Sequence, residues 1–103
     1  MDDSRLMRSM LLDFYGELLT EKQRECYDLH YNEDLSLSEI AEQCGISRQG
    51  VWDNIRRAEA QLREFEEKTG LVRRVRELER EIERLRGELE SLRGRAGGNA
   101  NGV

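Results

Sequence analysis

Arg48, Gln49, Trp52, Arg56 and Arg57 lie within ten residues of one another and carry the side chains that a polymeric partner requires. Arginine and glutamine present donors that match base edges, arginine also matches phosphate, and tryptophan offers a flat face. Such a face stacks on an unpaired base or anchors a protein partner. Taking Val51, Ile55 and Ala58 as the inner face of a helix, a 100° step turns Gln49, Asp53, Arg56 and Arg57 outward. Trp52 then falls on the flank and Arg48 in the first turn. This assigns Arg48 and Gln49 to base edges and Arg56 and Arg57 to phosphates. Asp53, in the middle of that surface, repels a nucleic-acid backbone. A plainer reading packs Trp52 against the first two helices and leaves Arg56 and Arg57 solvated, bridged to Asp53 or Glu59.

The remaining reactive side chains form no catalytic pattern. His30 is the one histidine and reads as a partly buried helix residue. Cys26 and Cys44 sit on helical faces, with no CxxC pair and no His/Cys cluster to hold a metal. Cys44 falls at an apolar position, where a free thiol behaves as a small hydrophobe. No glycine-rich phosphate loop is present. No catalytic activity, metal or cofactor is expected.

The stretch that positions the five residues is 36–57, SLSEIAEQCGISRQGVWDNIRR. Ser36 and Ser47 stand where N-caps belong, and Glu39 completes a capping box with Ser36. Leu37, Ile40, Ala41 and Cys44 share one helix face. Gly45 supplies the left-handed residue that ends the helix. Ile46 plugs the corner, and Val51, Ile55, Ala58 and Leu62 carry the buried stripe onward. Small Ala41, with Gly45 four residues later, allows the close crossing that a helix-turn-helix requires.

Around this motif the chain reads as all-α. A first amphipathic helix spans 4–18, with Ser4 as its cap and Leu6, Met10, Phe14 and Leu18, joined by Met7 and Leu11, on one face. Thr20 and Gln23 form a second capping box that opens a helix to about Tyr31, and NEDLS at 32–36 is a polar loop. The recognition-type helix has no stop signal until Thr69–Gly70. Three segments result: a helix-turn-helix domain over 1–70, a C-terminal coiled-coil helix over 71–93, and a Gly/Asn-rich tail over 94–103 expected to be disordered.

In the second segment, spacings of four and three alternate through Leu71, Val75, Leu78, Ile82, Leu85, Leu89 and Leu92. With Val75, Ile82 and Leu89 at a, the flanking g residues Arg74, Glu81 and Glu88 meet Glu79, Arg86 and Arg93 at e of a parallel partner, always with opposite sign. An antiparallel pair has g–g and e–e contacts of mixed sign. The expectation is a homodimer through Val75, Leu78, Ile82, Leu85, Leu89 and Leu92. The alternative is that this seam packs on the chain's own helices.

Composition sets the outer bounds. The chain has 103 residues, 37% hydrophobic and 38% charged, with no proline, which fits a small helical domain whose core gains from association. No segment is apolar enough to span a bilayer, and the acidic start MDDSR differs from a signal peptide, so a cytoplasmic location is expected. Residues 1–70 hold 9 Lys/Arg against 16 Asp/Glu and residues 71–103 hold 8 Arg against 6 Glu, making the net charge of −5. Phosphate neutralisation supplies much of duplex DNA affinity. An acidic helix-turn-helix domain is a poor generic DNA binder.

DFYGELLTEKQR at 13–24, SLSEIAE at 36–42, SRQGVWDNIRRAE at 47–59 and EEKTGL at 66–71 resemble the YlxM family. These are small bacterial helix-turn-helix proteins whose fold is similar to region four of sigma factors. The resemblance covers residues 5–75. Gly50, where alanine is usual, and Trp52, in place of tyrosine, depart from the pattern. The resemblance implies a regulatory role beside the signal recognition particle, binding its RNA, its GTPase or both. An acidic domain with an exposed-flank Trp suits a structured RNA or a basic protein better than bulk DNA. The alternatives are a sequence-specific DNA-binding transcription regulator, reading two half-sites as a dimer, and an interaction scaffold in which the motif only builds a core.

Overall fold

A 22-residue helix with buried residues at 51, 55, 58 and 62 supports the N-terminal part of the molecule. The computed structural model describes the backbone of residues 3–101 and the side chains of 4–96. The described residues form α1 (Asp3–Tyr15), a 3-10 turn (Gly16–Leu18), α2 (Glu21–Tyr31), α3 (Leu37–Cys44), α4 (Arg48–Thr69) and α5 (Leu71–Asn101). The chain divides into two units, Met1–Val72 and Arg73–Val103.

In the first unit the buried stripe of α4 serves two apolar clusters. Val51 and Ile55 join Cys26 of α2 and Ile40 of α3, with Leu37, Ala41, Cys44 and Ile46 packed around them. Ala58 and Leu62 join Tyr15, Leu19, Tyr27 and Val72, with Met7, Met10, Leu11, Leu12 and Phe65 at the edge. A spacing of four, three and four keeps all four α4 residues on one face, so one helix supports both clusters.

The sequence signals that begin and end helices are in place. Thr20 and Ser36 each accept from the amide three residues on, and Gln23 and Glu39 return the bond to the cap amide. Ser47 Oγ accepts from the Gly50 amide at 2.9 Å. A Cβ on Gly50 would stand 3.2 Å from that Oγ, so this glycine leaves the cap unobstructed. Gly45 and Gly70 hold φ of +69° and +64°, the left-handed geometry that closes α3 and α4. His30 is half-buried, and its Nδ1 lies 3.1 Å from the Leu35 carbonyl.

The first helix departs from its sequence reading in three ways. Ser4 lies inside α1 rather than capping it, and the α-helix stops at Tyr15 before the 3-10 turn. Of the expected face Leu6, Phe14 and Leu18 are exposed, whereas Met7, Met10 and Leu11 pack on the core as expected, joined by Tyr15. Tyr15 anchors the inward side. Its hydroxyl donates to Glu66 Oε1 at 2.7 Å and also meets Thr69 Oγ1. Glu66 Oε1 accepts in turn from the Val72 amide at 3.0 Å, and Thr69 Oγ1 accepts from the Leu71 amide at 3.2 Å. The EEKTGL stretch therefore satisfies the first amides of α5. Turning Leu6 and Phe14 inward would carry Tyr15 away from these partners.

Cys26 is fully buried and lies against Cys44, both as free thiols. Burial first, then Cys44 and the Glu25 carboxylate, push the Cys26 pKa up to about 11. A raised pKa means that the unfolded thiol ionises first. The associated stability is therefore complete below about pH 8.5 and is lost as pH rises through about 11. Tyr15 and Tyr31, also raised by burial, extend the loss at the alkaline end. Urea midpoints measured from pH 8 to 11 should fall, and Cys26→Ala should flatten the lower part of that fall. A variant with an unchanged slope would show that another group is responsible.

In the second unit α5 continues helical as far as Asn101. The tail expected to be disordered, 94–103, is thus helical to that point, and its last two residues lie outside the described ones. Each glycine or asparagine in a helix costs at most about 1 kcal/mol, and the chain has no proline to end the helix. Arg84 ion-pairs with both Glu81 and Glu88, and Arg74 lies 3.3 Å from Glu77.

Candidate nucleic-acid interface

The five residues singled out in the sequence all lie on α4 and are all exposed. The buried residues Val51, Ile55 and Ala58 point the opposite way, so packing of the inner stripe orients the outer one. Trp52 keeps 39% of its surface in solvent. It belongs to neither of the two apolar clusters. Instead Trp52 lines a recess of about 390 Å³ together with Arg48, Gln49 and Leu37. Leu37, the first residue of α3, was absent from the sequence-derived set. It reaches the recess because the Gly45 turn folds α3 back against α4.

Along the helix from this recess, Arg56 and Arg57 share a second one, of about 370 Å³, with Asp53 and Ala60. Neither arginine is bridged to Asp53 or Glu59. Gln49 Nε2 donates to Asp53 Oδ1 at 3.2 Å, and Glu59 accepts from the Tyr31 hydroxyl at 3.1 Å. Asp53 is thereby held by a neutral amide, and the two guanidinium groups keep their donors for a ligand. Arg63, seven residues after Arg56, is also exposed and extends the line. Its position is readable from the helical period, although the sequence reading ended at Arg57.

The surface therefore combines an aromatic face and Leu37 in one recess, two donors beside them, and two cations one to two turns away. Stacking, base-edge hydrogen bonding and phosphate pairing each have a residue set. Among the described residues there is no cluster of three His, Cys, Asp or Glu side chains able to hold a metal ion. None of the described helices is long and apolar enough to cross a membrane.

This architecture is that of an all-α helix-turn-helix protein, with Ser36 and Ser47 capping the two motif helices and Gly45 turning between them. The family model UPF0122, described as helix-turn-helix protein, YlxM / p13 like, matches residues 2–93, and the chain belongs to that family. A UPF0122 protein of Thermoanaerobacter sp. strain X514 is 55% identical over 78 residues, covering 76% of this chain and 67% of that protein. One from Acetivibrio thermocellus is 61% identical over 64 residues, covering 62% and 55%. A third, from Halalkalibacterium halodurans, is 54% identical over 70 residues, covering 68% and 64%.

Proposed function

We propose that this protein is a non-enzymatic, cytoplasmic accessory factor of the bacterial signal recognition particle pathway. Its α4 face binds the particle's RNA, its GTPase, or the two together. The family resemblance read from the sequence supplies the pathway. The observation that carries the binding mode is the half-exposed Trp52 beside Leu37, Arg48 and Gln49. An aromatic face in a recess suits a base already outside a duplex, or a protein side chain, better than the stacked edge of B-form DNA. The acidic balance of residues 1–70 points the same way, because bulk duplex affinity grows with the number of phosphates neutralised.

Arg48 and Gln49 in the first turn of a recognition-type helix also favour a second reading, a DNA-binding transcription regulator using these residues on base edges. A fluorescence-anisotropy titration of labelled signal recognition particle RNA, near physiological salt and with unlabelled duplex DNA as competitor, separates the readings. RNA binding that survives the competitor is expected. Binding abolished by the competitor, with a steep salt dependence on duplex DNA, would favour the regulator instead. An absence of RNA binding would leave the GTPase as the partner, checked by a pull-down with the purified enzyme.

A further inference from the structure

The apolar line of α5 remains in water in the single chain. Leu78, Ile82, Leu85, Leu89 and Leu92 are 43–58% exposed. Isolated exposed leucines are ordinary, but this set recurs every 3.5 residues on one helix over roughly 21 Å at 1.5 Å per residue. A straight α-helix turns about 20° out of such a repeat per heptad, so the line stays continuous only when helices wrap around one another. We infer that this face is an interface with a second copy of the chain, formed as a parallel, in-register, two-stranded coiled coil. The inference is independent of the partner that the α4 face binds.

The flanking charges identify the occupant. In parallel register Arg74 faces Glu79 of the second copy, Glu81 faces Arg86 and Glu88 faces Arg93. The complete set of signs is self-complementary, so no other protein is needed to satisfy it. An antiparallel pair instead sets g residues against g and e residues against e, and those contacts are of mixed sign. Val75 and Ile82 at a, with leucine at every d position, favour two strands over three or four. Gly87 falls at f on the far side, where a Cβ would meet nothing within 4 Å. The intrahelical bonds of Arg84 to Glu81 and Glu88 hold both acids beside the seam. Pairing across the seam then adds Arg86 and Arg93 of the second copy to a network already ordered.

Light-scattering mass and sedimentation equilibrium on the full chain across a concentration series test this. The expected mass is twice the 12.1 kDa of the chain, falling towards a single chain on dilution. Ile82→Lys and Leu85→Lys place like charges against each other across the seam and should weaken association by at least about tenfold. Both sites are exposed in the single chain, so helicity should be retained and unfolding of the first unit should be unchanged. For orientation, Glu81→Arg/Glu88→Arg and Arg86→Glu/Arg93→Glu should each self-associate poorly, while an equal mixture forms a one-to-one dimer. Three results would overturn the inference: a wild-type chain that is monomeric throughout, Lys variants that remain dimeric, or a mixture that associates no better than its components.

Discussion

Replacing Ile55 with alanine should lower the stability of the first unit by about 2–5 kcal/mol, the range for losing three carbons from a closed core. Ile55 is fully buried and shares a cluster with Cys26 of α2, Ile40 of α3 and Val51. The cavity would open where three helices meet, and Gly45 ties α3 to α4, which limits collapse around it. Small domains are stable by only about 5–15 kcal/mol in total, so the loss is a large fraction. Urea unfolding followed by circular dichroism should show a lower midpoint with a similar slope. The exposed control Arg57→Ala should change stability by no more than about 0.5 kcal/mol. If Ile55→Ala cost under about 1 kcal/mol, α4 would not be the common support of the motif.

Trp52→Ala should produce the largest loss of binding without loss of fold. Stacking of one base on an aromatic side chain contributes about 1–3 kcal/mol, or roughly five- to 150-fold in affinity. Trp52 is the chain's one tryptophan, so its fluorescence reports on the recess directly. Wild-type emission should be quenched as structured RNA is added, and Trp52→Tyr should retain most of the affinity because a planar face remains. Thermal unfolding of Trp52→Ala should match wild type closely, since the side chain is half in solvent and outside both core clusters. RNA affinity unchanged in Trp52→Ala would remove the recess from the interface. Charge truncation at Arg56 should differ in kind, weakening all nucleic acids alike and reducing the salt slope by about one.

The two effects arise from opposite faces of one helix, and this coupling links folding to function here. The stripe at 51, 55, 58 and 62 fixes the rotation of α4, and that rotation presents Arg48, Gln49, Trp52, Arg56 and Arg57 to solvent. Interior substitutions should therefore disturb binding only by loosening the whole face, whereas surface substitutions should leave stability unchanged. Measuring both quantities on the same variants separates the two routes.

Much of this was legible in the sequence, because the interactions concerned are local. Caps at Thr20, Ser36 and Ser47 act over three residues, the left-handed Gly45 and Gly70 over about four, and the amphipathic stripe of α4 over one or two turns. From these the helix-turn-helix boundaries and the outward side of the recognition helix followed, as did the 3.5-residue repeat of α5. The tertiary structure alone decided what depends on distant residues. Tyr15 reaches Glu66 across 51 positions of sequence, from an α1 face that leaves Leu6 and Phe14 exposed, although their spacing by itself suits a core just as well. Leu37 joins Trp52 in one recess only once α3 folds back on α4. Arg56 and Arg57 stay unbridged, while the carboxylates that sequence proximity offered them, Asp53 and Glu59, bond to Gln49 and Tyr31. Periodicity states that a helix has an apolar face. Which face is buried, and which charges remain available, depends on side chains that meet only after the chain has folded.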